Sequence, residues 1–164
     1  MVRTAEVRLW MLIGLPGSGK STWANSAKSS RLPIRLISTD KIRGQLFGNE
    51  ATQGDWLQVW QQVLHQLQQT AQEIHQGHYG EVIYDATNAR RRSRREVITA
   101  ARSLGYNRVL AIWFDVPLEV CLLRNQQRSR RVPTDVIQSM ARRLEGAPPD
   151  CQEGFDAVYR IWGG

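Results

Sequence analysis

Two cysteines, Cys121 and Cys151, are all that 164 residues contain. That is too few for a disulfide scaffold. Neither stands in a Cys-x-x-Cys or beside a histidine pair at ligand spacing, so both read as buried thiols. No apolar run approaches the ~20 residues that span a bilayer, and the opening MVRTAEVRLW carries charges where a signal peptide needs an uninterrupted apolar stretch. The expectation is a soluble, cytoplasmic chain with no membrane contact. Lysine is scarce as well, since 19 of the 22 basic residues are arginine, against 15 acidic ones, for a formal charge of +7. Arginine forks match phosphate oxygens bidentately, whereas lysine acts as a point charge. A basic surface favours an anionic partner, a polynucleotide or a phosphorylated metabolite.

The length suits a single domain, residues 1–164, able to remove roughly 70% of its unfolded surface from water. Short apolar segments bounded by turn residues predict strands at Val7 to Ile13, Ile34 to Ser38, Glu81 to Asp85, Arg108 to Asp115 and Ala157 to Trp162. Helical segments between them predict an α/β fold, a five-stranded parallel sheet with helices on both faces. The first helix is expected from about Lys20 to about Ser29. Leu57, Trp60, Leu64, Leu67, Ala71 and Ile74 recur at three and four, one face of a long helix that packs on the sheet or, less simply, seeds a coiled coil. Pro148 and Pro149 end the last helix. No internal repeat or linker is visible.

The chemistry starts at MLIGLPGSGKSTWA. Gly14 to Ser21 fits G-x-x-x-x-G-K-[ST] with a strand before it and a helix after it, the context that makes the pattern a phosphate-binding loop. Gly14, Pro16, Gly17, Ser18, Gly19, Lys20, Ser21 and Thr22 are therefore expected to bind a nucleoside triphosphate. Backbone N–H groups and a helix N-terminus would converge on the phosphates. Lys20 would reach the β- and γ-phosphates and the Ser21 hydroxyl would take a place on Mg²⁺. The loop does not identify the reaction. An Asn-Lys-x-Asp run, needed by a GTPase, is missing, and so is the Asp-Glu pair with which a motor or transporter ATPase ends a strand. A kinase remains.

Strand two runs into Asp40 and Arg43, one helical turn apart, beside the loop if the two strands are near neighbours. Asp40 could accept the proton of an acceptor hydroxyl and Arg43 clamp a phosphate of that acceptor. The spacing reads equally as a helix cap and a surface charge. After strand three, Asp85 is placed to hold water on Mg²⁺, while Thr87 and Asn88 offer hydrogen bonds near the transferred group. Arg124 to Pro133 is an arginine-rich segment that reads as a mobile lid over the polyphosphate or as a solvated basic loop. Arg90 to Arg95 holds five arginines in six positions, a nucleic-acid surface or a solvated charge run. Trp23 and Trp56 are candidate stacking platforms.

Together these segments make the chain resemble the kinase domain of phage-type polynucleotide 5′-hydroxyl kinase and its relatives among small P-loop kinases of the AAA and zeta-toxin-like kind. The likeness rests on G-x-P-G-S-G-K-S-T-W-A at Gly14 to Ala24, D-x-x-R at Asp40 and Arg43, and T-N at Thr87 and Asn88. It continues through F-D-V-P at Phe114 to Pro117, R-N-x-x-R at Arg124 to Arg128, and V-P-x-D-V-I-x-S-M at Val132 to Met140. The resemblance implies a P-loop NTPase fold with an Arg-rich lid and transfer of the ATP γ-phosphate to a nucleic-acid 5′-hydroxyl end. It implies Lys20 and Ser21 on ATP and Mg²⁺, Asp40 as general base, Arg43 on the acceptor strand, and Arg128, helped by Arg124, on the donor's β-phosphate. Two departures stand out: the phage-type enzyme has its aspartate directly before the threonine, not two positions before it as Asp85 stands here, and its phosphatase signature Asp-x-Asp is missing. A metabolite kinase and a nucleotide-regulated RNA-binding protein are the alternative readings.

Overall fold

A computed structural model describes residues 5–27 and 32–163. In chain order the elements are β1 (Arg8–Ile13), α1 (Lys20–Ser26), β2 (Ile34–Ser38), α2 (Thr39–Phe47), α3 (Trp56–His75), β3 (Glu81–Asp85), α4 (Arg91–Ser103), β4 (Arg108–Asp115), α5 (Leu118–Gln126), α6 (Thr134–Gly146) and β5 (Ala157–Trp162), with a 3-10 turn at Cys151–Glu153 before the last strand. All five strands lie where the apolar runs put them, the first starting one residue late. The expected end of the first helix, Ser29, lies outside the described residues. No helix among the described residues is long and apolar enough to cross a membrane.

The strands form one parallel sheet in the order β2-β3-β1-β4-β5. β3 therefore separates β1 from β2, which the near-neighbour expectation did not include. This order also decides the layers. The β1 to β2 connection steps one way across the sheet and every later one steps the other way. Right-handed crossovers consequently send α1 to one face and the remaining helices to the opposite face. The two apolar clusters reflect that split. Leu9, Met11 and Ile13 pack with α3, α4 and α6 residues such as Leu67, Val97 and Ile137, while Leu12, Ile83, Ile112 and Phe114 pack with Ala24 of α1.

α3 is capped by Asp55, whose side chain accepts from the Leu57 N–H. It lies on the sheet, and Tyr106 Oη reaches it by donating to the Leu67 carbonyl at 2.8 Å. Its buried row is Val59, Val63, Leu67, Ala71 and Ile74. This corrects the expected stripe at its first half, because Leu57 is 58% exposed and Trp60 and Leu64 are only half-buried. Two adjacent rows are both apolar there, and the slimmer valines face the core. Cys121 is buried as expected, whereas Cys151 is exposed on the 3-10 turn.

One of the five clustered arginines turns inward. Arg94 is fully buried; its Nε donates to Glu153 Oε2 at 2.7 Å and its terminal nitrogens donate to the carbonyls of Asn88, Ala89 and Ala147 and to Glu153 Oε1. The fork thus fastens the end of the β3–α4 turn to the chain beyond α6. Removing one partner of a buried ion pair strands the other charge, at about 3–5 kcal/mol. Glu153→Gln should cost about that much in urea unfolding. In a double-mutant cycle, Arg94→Met with Glu153→Leu should lose less than the two single losses together.

Candidate active site

One cavity of about 1350 Å³ lies at the carboxyl ends of the strands and is lined by every expected site residue except Gly14. Ligands gather at this edge of parallel sheets because helix N-termini and loops converge there. The phosphate loop is its floor. Gly17 and Gly19 take φ of 83° and 95°, a region where a Cβ is strained. A Cβ on Gly17 would also come within 2.7 Å of the Cys121 carbonyl. Gly14 donates its N–H to the Thr87 carbonyl at 3.1 Å, hanging the loop from the β3 turn.

Lys20 is buried and donates to the Gly14 and Leu15 carbonyls at 2.8 and 2.9 Å. Burial pushes its ammonium from the ordinary 10.5 down to about 8, with the carboxylates of Asp85 and Asp40 opposing the fall and Arg128 adding to it. A cation held this way gains by exchanging carbonyl dipoles for phosphate oxygens. Ser18 Oγ is buried with no hydrogen-bond partner, a polar orphan that a phosphate oxygen would satisfy.

Ser21 Oγ donates to Asp85 Oδ2 at 2.8 Å. A hydroxyl and a carboxylate in contact beside a phosphate loop form the oxygen donor set that Mg²⁺ takes when it is shared with substrate phosphates. No cluster of three or more His, Cys, Asp or Glu capable of holding a metal occurs among the described residues. Asp85 reaches Ser21 because β3 adjoins β1, with Leu12 opposite Asp85 in the register.

At the far side, Asp40 stands in the first turn of α2, and the helix cap is Ser38, whose side chain accepts from the Lys41 N–H at 3.3 Å. The Asp40 carboxylate is thereby left to the cavity. Arg43 Nη1 donates to its Oδ1 at 3.3 Å and Arg130 Nη2 to its Oδ2 at 2.8 Å. Arg130 also approaches Glu50 at 3.5 Å. Arg130 lies in the segment whose pattern reads as a lid over the polyphosphate or a solvated basic loop, and only the fold brings it to Asp40. Arg43 lies over the Trp56 ring at 5.9 Å, and Trp56 stacks on Trp60 with centroids 6.4 Å apart and planes 20° from parallel. Trp23, the other candidate platform, packs edge-on against Phe114.

One expectation changes. Asn88 adopts φ 52° and its Nδ2 donates to the Leu12 carbonyl at 2.7 Å, so its amide holds β1 to the β3 turn instead of waiting for a substrate. A left-handed residue with a short polar side chain fits this clip, and the Thr-Asn pattern marks it. Thr87 still faces the cavity. Within the arginine-rich segment, Asn125 Nδ2 donates to the Val132 carbonyl and its Oδ1 accepts from the Val132 N–H, at 2.8 and 3.0 Å, closing the turn between them. Arg124 Nη1 donates to the Gly17 carbonyl at 3.3 Å, and Arg128 borders the same cavity. Arg124 at the end of α5 and Arg128 in the closed turn thus border the phosphate-loop side of the cavity.

A family model described as AAA domain matches residues 9–147. The L-seryl-tRNA(Sec) kinase of Methanococcus maripaludis is 27% identical over 141 residues, 84% of this chain and 52% of that protein. The mouse L-seryl-tRNA(Sec) kinase is 42% identical over 59 residues, 35% of this chain and 16% of that protein. The chain thus spans about half the length of the first relative and less of the second. A chain of the Pnkp1/Rnl/Hen1 RNA repair complex superposes with a TM-score of 0.70 at 21% identity, over 94% of this chain and 48% of that one. A sugar kinase from Janibacter sp. HTCC2649 does so with 0.61 at 21% identity, over 95% and 85%. At these identities the structural likeness concerns the fold.

The position of Lys20 makes phosphate binding depend on pH. A polyphosphate stabilises the ammonium and raises its pKa above the free value of about 8, so the complex holds more protons than the free protein above that pH. Affinity should be full below pH 8 and fall as pH rises through it. Calorimetric titration with ATP near pH 8 in buffers of different ionisation enthalpy should register proton uptake, and Lys20→Met should remove it.

Proposed function

The chain belongs to the AAA domain family, and within it we propose that this protein is an ATP-dependent, Mg²⁺-assisted kinase acting on a nucleic-acid 5′-hydroxyl end. The observation that carries the reading is the single cavity in which Lys20, Ser21 and Asp85 occupy the donor side and Asp40, Arg43 and Trp56 the acceptor side. Mg²⁺ held through Ser21 and Asp85 would supply positive charge against the phosphate oxygens as that charge shifts. The chain's own residues do the rest. Lys20 and the loop amides hold the β- and γ-phosphates, and Arg124 and Arg128 oppose the charge developing on the transferred group. Asp40 takes the proton of the acceptor hydroxyl as its oxygen bonds to the γ-phosphorus and the bond to the β-phosphate oxygen breaks, releasing ADP.

Asp40 is paired twice by arginines, and both have anionic alternatives when substrates enter. An acceptor phosphate would draw Arg43, and Arg130 lies on the lid side toward the donor phosphates. Trp56, 48% exposed and covered by Arg43, would offer its ring to the terminal base once Arg43 turns to the acceptor phosphate. The relatives described as L-seryl-tRNA(Sec) kinases favour a second reading, in which the hydroxyl belongs to an aminoacyl group carried on RNA. Incubation with γ-labelled ATP and either 5′-hydroxyl oligonucleotides, seryl-tRNA or hydroxylated metabolites separates these acceptors by where the label goes.

Asp40→Asn should keep ATP affinity and lose roughly 10² to 10⁴ in kcat, the scale of general-base catalysis. Near-normal turnover would reduce Asp40 to an anchor for two arginines. Arg43→Ala should raise KM for acceptors that carry a 3′-phosphate more than for plain nucleosides, with little change in ATP affinity. Equal losses for both acceptors would assign Arg43 to holding Asp40 instead of clamping a phosphate.

A further inference from the structure

A second cavity of about 700 Å³ lies between α3 and α4, outside the catalytic residues, with Trp60 and Leu64 contributed by α3 and Arg91, Arg92 and Arg95 by α4. It shares Trp60 and Glu96 with the large cavity, so the two adjoin. We propose that this groove carries the phosphodiester strand attached to the acceptor hydroxyl, a proposal that rests on the nucleic-acid reading of the active site.

Arg95 stands four residues after Arg91 and three after Arg92, about one turn or ~5.4 Å further along the same side of the helix, with Arg91 and Arg92 adjacent to one another. That is close to the step between successive phosphates of an extended single strand. Two of them are weakly engaged: Arg92 pairs with Glu96 at 3.1 Å at an exposed site and Arg95 has no ion-pair partner among the described residues, whereas Arg91 approaches the buried Glu153 at 3.3 Å. An exposed ion pair contributes little, so a phosphate can replace Glu96 on Arg92. The buried fork of Arg94 on the same helix is committed to Glu153, which keeps α4 in place while its outer arginines change partners.

The aromatic side distinguishes a nucleic acid from an acidic peptide. Trp56 in the acceptor cavity, 48% exposed, and Trp60 at the junction stack on one another and carry aromatic surface from the site of transfer toward the groove. Aromatic surface meets bases without reading their identity, while the arginines follow the backbone.

The test compares a 5′-hydroxyl dinucleotide with an eight-nucleotide strand as acceptors over a range of salt concentrations. The longer strand should show a KM lower by about tenfold or more, and its KM should be the more salt-sensitive. Arg92→Glu with Arg95→Glu, at exposed positions that leave the core intact, should erase the length dependence. It should also flatten the log–log salt slope by about 1.4, two phosphates at about 0.7 each. Circular dichroism and thermal melting would verify that the variant is folded. Equal KM for the two lengths in the parent protein, or a length dependence that survives in the folded variant, would overturn the groove while leaving the kinase reading intact. Transfer to neither acceptor would overturn both.

Discussion

The contact between Ser21 Oγ and Asp85 Oδ2 depends on a register that pairs Leu12 with Asp85 across β1 and β3. Moving that register by one residue would turn Asp85 to the other face of the sheet. The same pair of strands is tied twice more, by the Gly14 N–H to the Thr87 carbonyl and by Asn88 Nδ2 to the Leu12 carbonyl. Three hydrogen bonds thus hold the phosphate loop against the end of β3. The preorganisation of the donor side follows from them, because its glycines, Lys20 and Ser21 are otherwise loop and helix-end residues free to drift.

Charge in this protein acts according to burial. Arg94 and Arg92 are two positions apart on α4, yet one is sealed around Glu153 and the other is exposed beside Glu96. The first stabilises a junction that water cannot reach, so losing its partner leaves an unsolvated charge. The second is screened and exchangeable, which suits a surface that meets a polyanion. Arg43 and Arg130 fall between these extremes, each partly buried against Asp40, and so are placed to respond to anions entering the cavity.

Lys20 shows the same balance on a single residue. Its ammonium is desolvated before any nucleotide binds, which raises its free energy in the free protein relative to a complex in which phosphate oxygens surround it. Packing it against two carbonyls and near Asp85 keeps it charged enough to serve. The loop is thereby ready to bind without a rearrangement of the core beneath it.

Local patterns determined much of this protein by themselves. Five apolar runs became five strands, and the Gly-x-x-x-x-Gly-Lys-Ser run became a loop whose glycines take left-handed φ, because strand burial and glycine conformation are properties of short stretches. The Asp40 and Arg43 pair was legible because one helical turn brings them together. Tertiary structure decided the rest. Placing β3 between β1 and β2, sending α1 alone to one face, turning Val59 and Val63 inward in preference to Trp60 and Leu64, sealing Arg94 and directing Asn88 to a backbone carbonyl all join residues distant in sequence. So does the meeting of Arg130 with Asp40, 90 residues apart. A charge run reads the same whether its members meet solvent or a buried carboxylate, and only the packing of helices on the sheet fixes which of them meets Glu153.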